Sequence, residues 1–201
     1  MNIAIAFVFM NMVWGVDPLP TKPGATWTFE KSDKGKVIQE KWEVVALPEN
    51  FSGEIFEESE KSEMAPPRTL EVTAKTPGIV GINVDGKLRF LIRTLPDQQR
   101  LYMTPGWGQN FFTILFVIPH ELQNGTSWTT FRGRFSCGVL IEELKGKTSR
   151  MTWDSLPGKD GFRLSWKKGA ESGTLDIVPG IGIVGMDLDV SFERWKKKRV
   201  E

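Results

Sequence analysis

Alternation of apolar and polar residues with a period of two runs through much of this chain and constrains its fold more than any other feature. Leu188 and Val190 alternate with acidic residues, and Phe162, Leu164 and Trp166 alternate with an arginine and a serine. This spacing places apolar side chains on one face of a β-strand. No stripe with a 3.6-residue period extends beyond two helical turns. The sequence therefore predicts an all-β or mainly β fold.

Turn signals separate the predicted strands. An Asp-Gly pair, Asp85 and Gly86, stands between the apolar segments 79–84 and 88–92. Glycine tolerates the positive φ that a type I′ turn demands, so this pair predicts a β-hairpin.

Two short segments recur about a hundred residues apart and in the same order. Residues 24–28 resemble residues 125–129, and residues 78–85 resemble residues 182–189. A common offset is the signature of an internal repeat. The positions predicted to be equivalent are Trp27 with Trp128 and Gly81 with Gly185.

The repeat predicts two similar meanders, at about 20–95 and 120–197. Neither meander has enough apolar residues to close a core alone, so we expect residues 16–201 to form one domain. The predicted architecture is an antiparallel curved sheet, arranged as a half-barrel or a sandwich.

The N-terminal segment carries an apolar run at residues 3–10, and the Asp-Pro-Leu-Pro sequence at 17–20 ends it. Its length suits a signal peptide and is too short for a transmembrane helix. We predict a signal peptide at 1–15, cleaved after Gly15, and hence a periplasmic or extracellular location. No basic residue precedes Lys22, which leaves open an apolar first strand of the mature fold.

The opening of each predicted repeat resembles a known motif. Residues 23–29 resemble the P-L-x-x-G-x-x-W-x-Y opening of a broad group of bacterial secreted β-rich proteins, and residues 122–128 are similar to it. Residues 178–184 are similar to the A-x-G-[IV]-G-x-V segment that closes these proteins. The chain departs from the motif at Phe29, where tyrosine is usual, and lacks the leucine directly before Lys22. The resemblance implies a cell-envelope location and a half-open sheet like that of periplasmic lipoprotein carriers, and it implies no activity.

Composition excludes several functional classes. One cysteine, Cys137, cannot form an intrachain disulfide, and one histidine, His120, cannot build a histidine-based metal cluster. The formal charge is +1, from 26 basic and 25 acidic residues. Such a balance gives no field that attracts nucleic acid. We therefore predict no metal, no cofactor and no nucleic-acid partner.

No catalytic residue is predicted, and whether the protein is an enzyme stays open. The nucleophile elbow, the dinucleotide fingerprint and the phosphate-binding lysine loop do not occur. His120 and Glu121 are adjacent, so on a strand they would face opposite ways. We expect Cys137 to be a buried, inert thiol. The acidic run from Glu54 to Glu63 predicts a solvated edge, although glycosidases do use paired carboxylates.

Tryptophan is abundant, with eight residues against a single tyrosine. Six lie in segments predicted as strands: Trp27, Trp42, Trp128, Trp153, Trp166 and Trp195. We expect these to fill the core, the alternative being an exposed row that stacks on sugars or lipids.

The candidate ligand-binding residues are Trp107, Phe111, Phe112 and Phe116. Trp107 lies in a glycine-flanked loop, where it either contacts a ligand or folds back as a plug. The apolar run 111–118 predicts a strand buried on both faces, with a short helix as the alternative.

These features predict a non-catalytic envelope or secreted protein that binds a lipid, another amphiphile or an envelope protein. The basic segment 194–199 is predicted either to contact an anionic membrane surface or to be a frayed, solvated terminus. The alternative functions are a carbohydrate-binding β-sandwich and a hydrolase of an envelope polymer.

Overall fold

The structure is a computed structural model, and all of its regular secondary structure is β. It describes residues 17–33, 36–57, 68–104, 110–122, 125, 127–132, 135–143, 161–168, 171–190 and 193–199. The predicted signal peptide, 1–15, lies outside these residues. Over the described ranges the chain forms strands and no helix, which confirms the predicted fold class.

Fourteen strands are defined within these ranges. The first half of the chain contains β1 (Thr26–Asp33), β2 (Lys36–Val45), β3 (Ser52–Glu57), β4 (Arg68–Thr73), β5 (Ile79–Val84), β6 (Lys87–Thr94), β7 (Gln98–Met103) and β8 (Phe111–Pro119). The second half contains β9 (Ser127–Arg132), β10 (Phe135–Glu143), β11 (Phe162–Lys168), β12 (Glu171–Val178), β13 (Gly182–Val190) and β14 (Glu193–Arg199).

All fourteen strands belong to one sheet, in the order β4-β3-β8-β7-β6-β5-β2-β1-β14-β13-β12-β11-β10-β9. Neighbours are antiparallel, apart from the parallel pair of β3 and β8. Without the inserted hairpin β3–β4, each half is a six-stranded meander, β1-β2-β5-β6-β7-β8 in the first and β9 to β14 in the second, and β1 pairs with β14 to join the halves. In the described part of the chain β4 and β9 end the sheet, so it does not close into a barrel.

The strand order is the same in the two halves, once the hairpin β3–β4 is set aside as an insertion. Trp27 and Trp128 are each the second residue of the first strand in their half. The first half extends to Pro119, beyond the predicted limit of 95.

The predicted equivalence of Gly81 and Gly185 is wrong. Gly81 lies in β5, the third strand of the first half without the insertion, whereas Gly185 lies in β13, the fifth strand of the second. Each glycine leaves room for a different side chain. A Cβ on Gly81 would lie 2.6 Å from Leu88 Cδ1, and one on Gly185 would lie 3.0 Å from the Asp176 carboxylate.

The predicted hairpin at Asp85 and Gly86 is confirmed. Both residues have positive φ, 49° and 79° respectively, as a type I′ turn requires. Asp85 also ties the turn to β2, because its backbone N–H donates to the Lys41 carbonyl at 2.8 Å and its carboxylate accepts from the Lys41 N–H at 2.9 Å.

The sheet curls strongly toward one face, which we call the inner face. Leu19 hydrogen-bonds to Gln99 on β7, while the next residue, Pro20, packs against Gly182 on β13. β7 and β13 are six strand positions apart, about 29 Å in a flat sheet. Since consecutive Cα atoms are only about 3.8 Å apart, curvature must bring the two strands together.

Curling lets both halves bury their apolar residues in one inner core. Trp42 anchors it, with its ring stacked on Phe90 at 4.8 Å and tilted against Phe29 at 4.7 Å. The other buried members are Leu19, Trp27, Val44, Ile82, Val84, Ile92, Leu101, Met103, Leu115, Phe116, Ile118, Leu164, Leu175, Ile177, Ile183 and Met186. The prediction that Trp27 and Trp42 fill the core is therefore confirmed.

A second cluster, the outer core, covers the opposite face of the first meander. The hairpin β3–β4 and the connection before it supply Leu47, Phe51, Ile55 and Val72, and the meander supplies Leu91, Tyr102, Phe112 and Ile114. The strand β8 is consequently buried on both faces, as predicted, and the alternative of a short helix is wrong.

β14 lies in the middle of the sheet, paired with β1 and β13. The interpretation of residues 194–199 as a frayed terminus is therefore wrong. Basic residues are tolerated in this strand because several lie directly opposite a carboxylate, as Lys198 lies opposite Glu30.

Gly182 is predicted to be essential to the contact between the N-terminal segment and β13. It has φ +96° and a Cβ there would lie 2.5 Å from Pro20 Cδ, whereas Gly86, with φ +79°, faces open space. Gly86→Ala should cost about 1–2 kcal/mol of unfolding free energy for the backbone strain alone. Gly182→Ala should cost about 1–3 kcal/mol more, because the methyl group also overpacks. If urea unfolding gives equal losses of unfolding free energy for Gly182→Ala and Gly86→Ala, the contact of Gly182 with Pro20 is not essential.

Candidate ligand-binding site

The structure does not bring the predicted ligand-binding residues together. Trp107 lies outside the described residues. Phe112 is buried in the outer core beside Phe51, and Phe116 is buried in the inner core. Phe111 is half-buried and packs against Phe56 at 6.0 Å. Phe112 and Phe116 are four residues apart and would share a face of a regular strand. A β-bulge at Leu115, where the register with β7 shifts, places them in different cores.

The N-terminal segment closes one end of the inner face. The side-chain amide of Gln99 accepts from the Leu19 N–H at 2.7 Å and donates to the Leu19 carbonyl at 3.0 Å. Both residues are fully buried, so these bonds satisfy backbone groups that water does not reach. Leu19 therefore covers this end of the inner core, as a residue of an additional strand would, and we call it the N-terminal plug.

Sequence reasoning missed this plug. The segment 17–20 reads only as a break in regular structure, because two prolines flank Leu19. The sequence signal for it is a glutamine, Gln99, which stands two residues before the core residue Leu101 and so shares its face of the strand.

The two halves of the sheet also meet at a seam near this plug. The indole N–H of Trp27 donates to the Ile181 carbonyl at 3.3 Å, and the Trp27 ring lies against Gly182. Trp27 belongs to the opening motif noted in the sequence, and residues 180–182 belong to the closing motif. Two segments that lie 154 residues apart are thus one packing unit.

A row of tryptophans crosses the second meander. The strand register connects Trp128, Val139, Trp166, Gly173, Leu188 and Trp195 in succession from β9 to β14. We call these six positions the tryptophan row. The row belongs to the inner face, because Trp166 and Gly173 each lie two residues along their strands from the inner-core residues Leu164 and Leu175.

The tryptophan row spans the full width of the second meander. Five strand spacings separate β9 from β14, which corresponds to about 24 Å measured along the curved sheet. The neighbouring row on the same face runs Leu164, Leu175 and Met186, all buried in the inner core. The register therefore places the tryptophan row one step along the strands from these buried residues, on the same face.

The inner face opens to solvent close to the tryptophan row. The register of the neighbouring row continues from Met186 through Lys197 and Lys31 to Ile38. Met186 is 3% exposed, whereas Ile38 is 44% exposed. Across four strands the face thus changes from core to open surface.

One buried carboxylate lies close to this opening. Glu40 is two residues from Ile38 on β2 and only 8% exposed, and its Oε2 accepts from the indole N–H of Trp42 at 3.2 Å. The bond ties the carboxylate to the aromatic centre of the inner core.

An ion pair lies on the outer face of the second meander. Arg163 and Asp176 form a two-point ion pair across β11 and β12, with Nε–Oδ1 at 2.7 Å and Nη2–Oδ2 at 2.8 Å. The missing side chain at Gly185 leaves room for the Asp176 carboxylate. A bidentate pair of this kind fixes the register of the strands.

The described residues give little support to a catalytic or metal site. Glu54 and Glu71 are directly opposite each other, but both are exposed on the hairpin β3–β4, away from any enclosed cleft in the described part of the chain. His120 lies 3.8 Å from Asp17. Among the residues described, no group of three or more histidine, cysteine or acidic side chains is arranged to hold a metal ion.

No protein-family model matches the chain, and comparison with curated proteins and with solved structures finds no match. Within the described ranges, none of the secondary structure is a helix with the length and apolar character needed to cross a membrane. The proposed function therefore rests on the geometry of the inner face.

Gln99 is predicted to hold the N-terminal plug in place. Gln99→Leu would leave the buried N–H and carbonyl of Leu19 without partners, which should cost about 2–4 kcal/mol of unfolding free energy. Thr94→Val is the control, because it removes only the 3.3 Å bond from the Gln99 amide to Thr94 Oγ1 and should cost about 1 kcal/mol or less. Urea unfolding followed by tryptophan fluorescence measures both. If Gln99→Leu loses no more unfolding free energy than Thr94→Val, Gln99 does not hold the plug in place.

Proposed function

We propose that the protein is a non-catalytic binding protein of the cell envelope, and that it holds an amphiphile against the inner face of the second meander. The observation that carries the proposal is the tryptophan row, six uncharged positions that the register aligns on the inner face of a sheet whose described strands do not close into a barrel. A curled, apolar surface open at one side is the usual form of a site for an apolar ligand.

The dimensions of the tryptophan row suit an acyl chain. A strip of about 24 Å is comparable to an extended long-chain acyl group. The row contains no charged residue, and the register places Gly173 between Trp166 and Leu188. The opening beside Ile38 provides a place for a polar headgroup in contact with water.

The location in the periplasm or outside the cell is part of the proposal. It rests on the apolar run before residue 17 and on the resemblance of residues 23–29 to secreted bacterial proteins. An envelope protein as a further partner is compatible with the positions of β4 and β9, which are the edges of the sheet among the described strands, since a sheet edge can accept another strand.

A carbohydrate-binding function is the second candidate, and the same tryptophan row favours it. Aromatic rings arranged in a line can stack on successive sugar rings. The row crosses the strands at unequal intervals, with Trp128 and Trp166 two strands apart and Trp166 and Trp195 three strands apart. Unequal spacing suits a flexible acyl chain better than the regular repeat of a polysaccharide.

Binding of long-chain amphiphiles to the delipidated protein is the expected outcome. Palmitate and hexadecanol should both quench tryptophan fluorescence with saturable curves. Trp166→Leu should weaken the binding of both by about fivefold to tenfold, because it removes an aromatic contact from the middle of the strip. Isothermal titration calorimetry provides the affinities.

Ser165→Ala is the matched control for Trp166→Leu. Ser165 is the preceding residue of β11 and therefore lies on the outer face, where it is half-buried and opposite Thr174. It should leave both affinities unchanged. Failure of the wild-type protein to bind either amphiphile, together with saturable binding of glucan oligosaccharides, would replace this proposal with the carbohydrate-binding one.

A further inference from the structure

The single histidine of the sequence lies beside the N-terminal plug. His120 directly follows β8, and its imidazole Nε2 is 3.8 Å from Oδ1 of Asp17. Asp17 stands two residues before Leu19, with Pro18 between them. Because the proline ring fixes the φ angle of its residue, the link from Asp17 to Leu19 is short and stiff. An interaction that holds Asp17 in place therefore also holds the plug.

The position of His120 is fixed by the neighbouring turn. Its backbone N–H donates to the Asp97 carbonyl at 3.1 Å, and Asp97 lies between β6 and β7. Two residues further on, Gln99 binds the backbone N–H and carbonyl of Leu19. The paired strands β7 and β8 therefore hold both the amide that binds the plug and the imidazole beside it.

The imidazole Nε2 of His120 is buried, and among the described residues it has no hydrogen-bond partner. A distance of 3.8 Å is too long for a hydrogen bond from a neutral imidazole to the Asp17 carboxylate. The neutral form therefore leaves a buried polar nitrogen unsatisfied. An imidazolium, by contrast, is attracted to a carboxylate at this distance, because the interaction is between two charges. The contact thus stabilises the plug only while His120 is protonated.

Water reaches both partners of this contact. The side chain of His120 is 21% exposed and that of Asp17 is 40% exposed. Protonation of the imidazole therefore does not create an isolated buried ion, whose desolvation would exceed the attraction. Partial exposure also screens the two charges, so the pair changes an opening equilibrium by severalfold rather than by orders of magnitude.

The elements that meet at His120 carry other charged groups. Asp97 lies in the turn between β6 and β7, and Glu121 is the next residue of the chain, and both are exposed. Lys22, on the N-terminal segment, is also exposed. The two carboxylates attract a proton to the imidazole in the same sense as Asp17 does. Their effect has to be separated from that of Asp17 by experiment.

Arg100 on β7 belongs to the other face of the sheet. It lies opposite Val117, which packs against the outer core. His120, by contrast, stands two residues beyond Ile118, which belongs to the inner core. This guanidinium therefore does not oppose protonation of His120 from the same face.

We propose that His120 and Asp17 form a pH-sensitive latch on the N-terminal plug. Aspartates are ionised above about pH 4 and histidines are protonated below about pH 6.5, so both charges coexist in the mildly acidic range. The latch is closed in that range. As the pH rises through neutrality the imidazole loses its proton and the attraction ends. The segment 17–20 then opens more readily, and this end of the inner core becomes more accessible.

Hydrogen exchange of the Leu19 amide, followed by NMR in the full chain without ligand, measures the opening of the plug. Protection factors are compared at about pH 5.5 and about pH 7.5, on the two sides of the histidine titration, after correction for intrinsic exchange rates. The amide of Ile92, in the central strand β6, shows whether the sheet of each variant stays folded. Since no ligand is used, the outcome is independent of the proposed function.

The protection factor of Leu19 in the wild-type protein should be about threefold to fivefold higher at the acidic pH. His120→Gln and Asp17→Asn should each show the lower value at both pH values, because one charge of the latch is missing. Asp97→Asn is the matched control and should keep the pH dependence, since Asp97 contacts His120 through its backbone carbonyl. His120 is the only histidine, so its NMR signal reports its protonation, and the fall in Leu19 protection should follow that titration.

Three outcomes would overturn the latch. The first is equal protection of Leu19 at the two pH values in the wild-type protein. The second is a pH dependence that survives Asp17→Asn while Ile92 remains protected. The third is a dependence lost in Asp97→Asn as fully as in Asp17→Asn, which would assign the effect to the general negative charge around His120. Because His120→Gln and Asp17→Asn break the same contact from opposite sides, either variant tests the latch if the other fails to fold.

Discussion

The burial of one apolar sheet face against itself is the constraint on which the rest of this structure depends. A flat sheet of fourteen strands would expose Trp42, Phe90 and their neighbours to water, at a cost of about 2 kcal/mol for each large side chain. Curling buries these side chains only if strands that are far apart in the strand order of the sheet come into contact. Leu19 and Pro20 show that they do, because these two consecutive residues contact β7 and β13.

The two halves have the same strand order, but their outer faces carry different kinds of residues. In the first half the inserted hairpin β3–β4 covers the outer face with apolar residues such as Ile55 and Val72. The outer face of the second half carries polar groups, among them the ion pair of Arg163 with Asp176. The first meander is therefore a layer with a core on both sides, whereas the described part of the second carries this ion pair together with the small apolar cluster of Val178 and Val184.

This asymmetry connects the fold to the proposed function. Residues of the first meander are committed to two cores, which is why Phe112 and Phe116 are packing residues at opposite faces rather than parts of one surface. The proposed binding surface is therefore the tryptophan row of the second meander. The seam between the halves brings β14, on which the row ends, beside β1.

The sequence by itself determined the strand character of the chain, the turn at Asp85 and Gly86, and the two-faced burial of β8, because periodicity and turn chemistry act locally. Strand order, the curvature and the register are decided by contacts between residues far apart in the chain, which local patterns do not encode. For this reason similar segments at Gly81 and Gly185 proved to lie in strands of different order. The tertiary structure alone decided that Leu19 plugs the core and that three tryptophans share a row, since both depend on which strands pair.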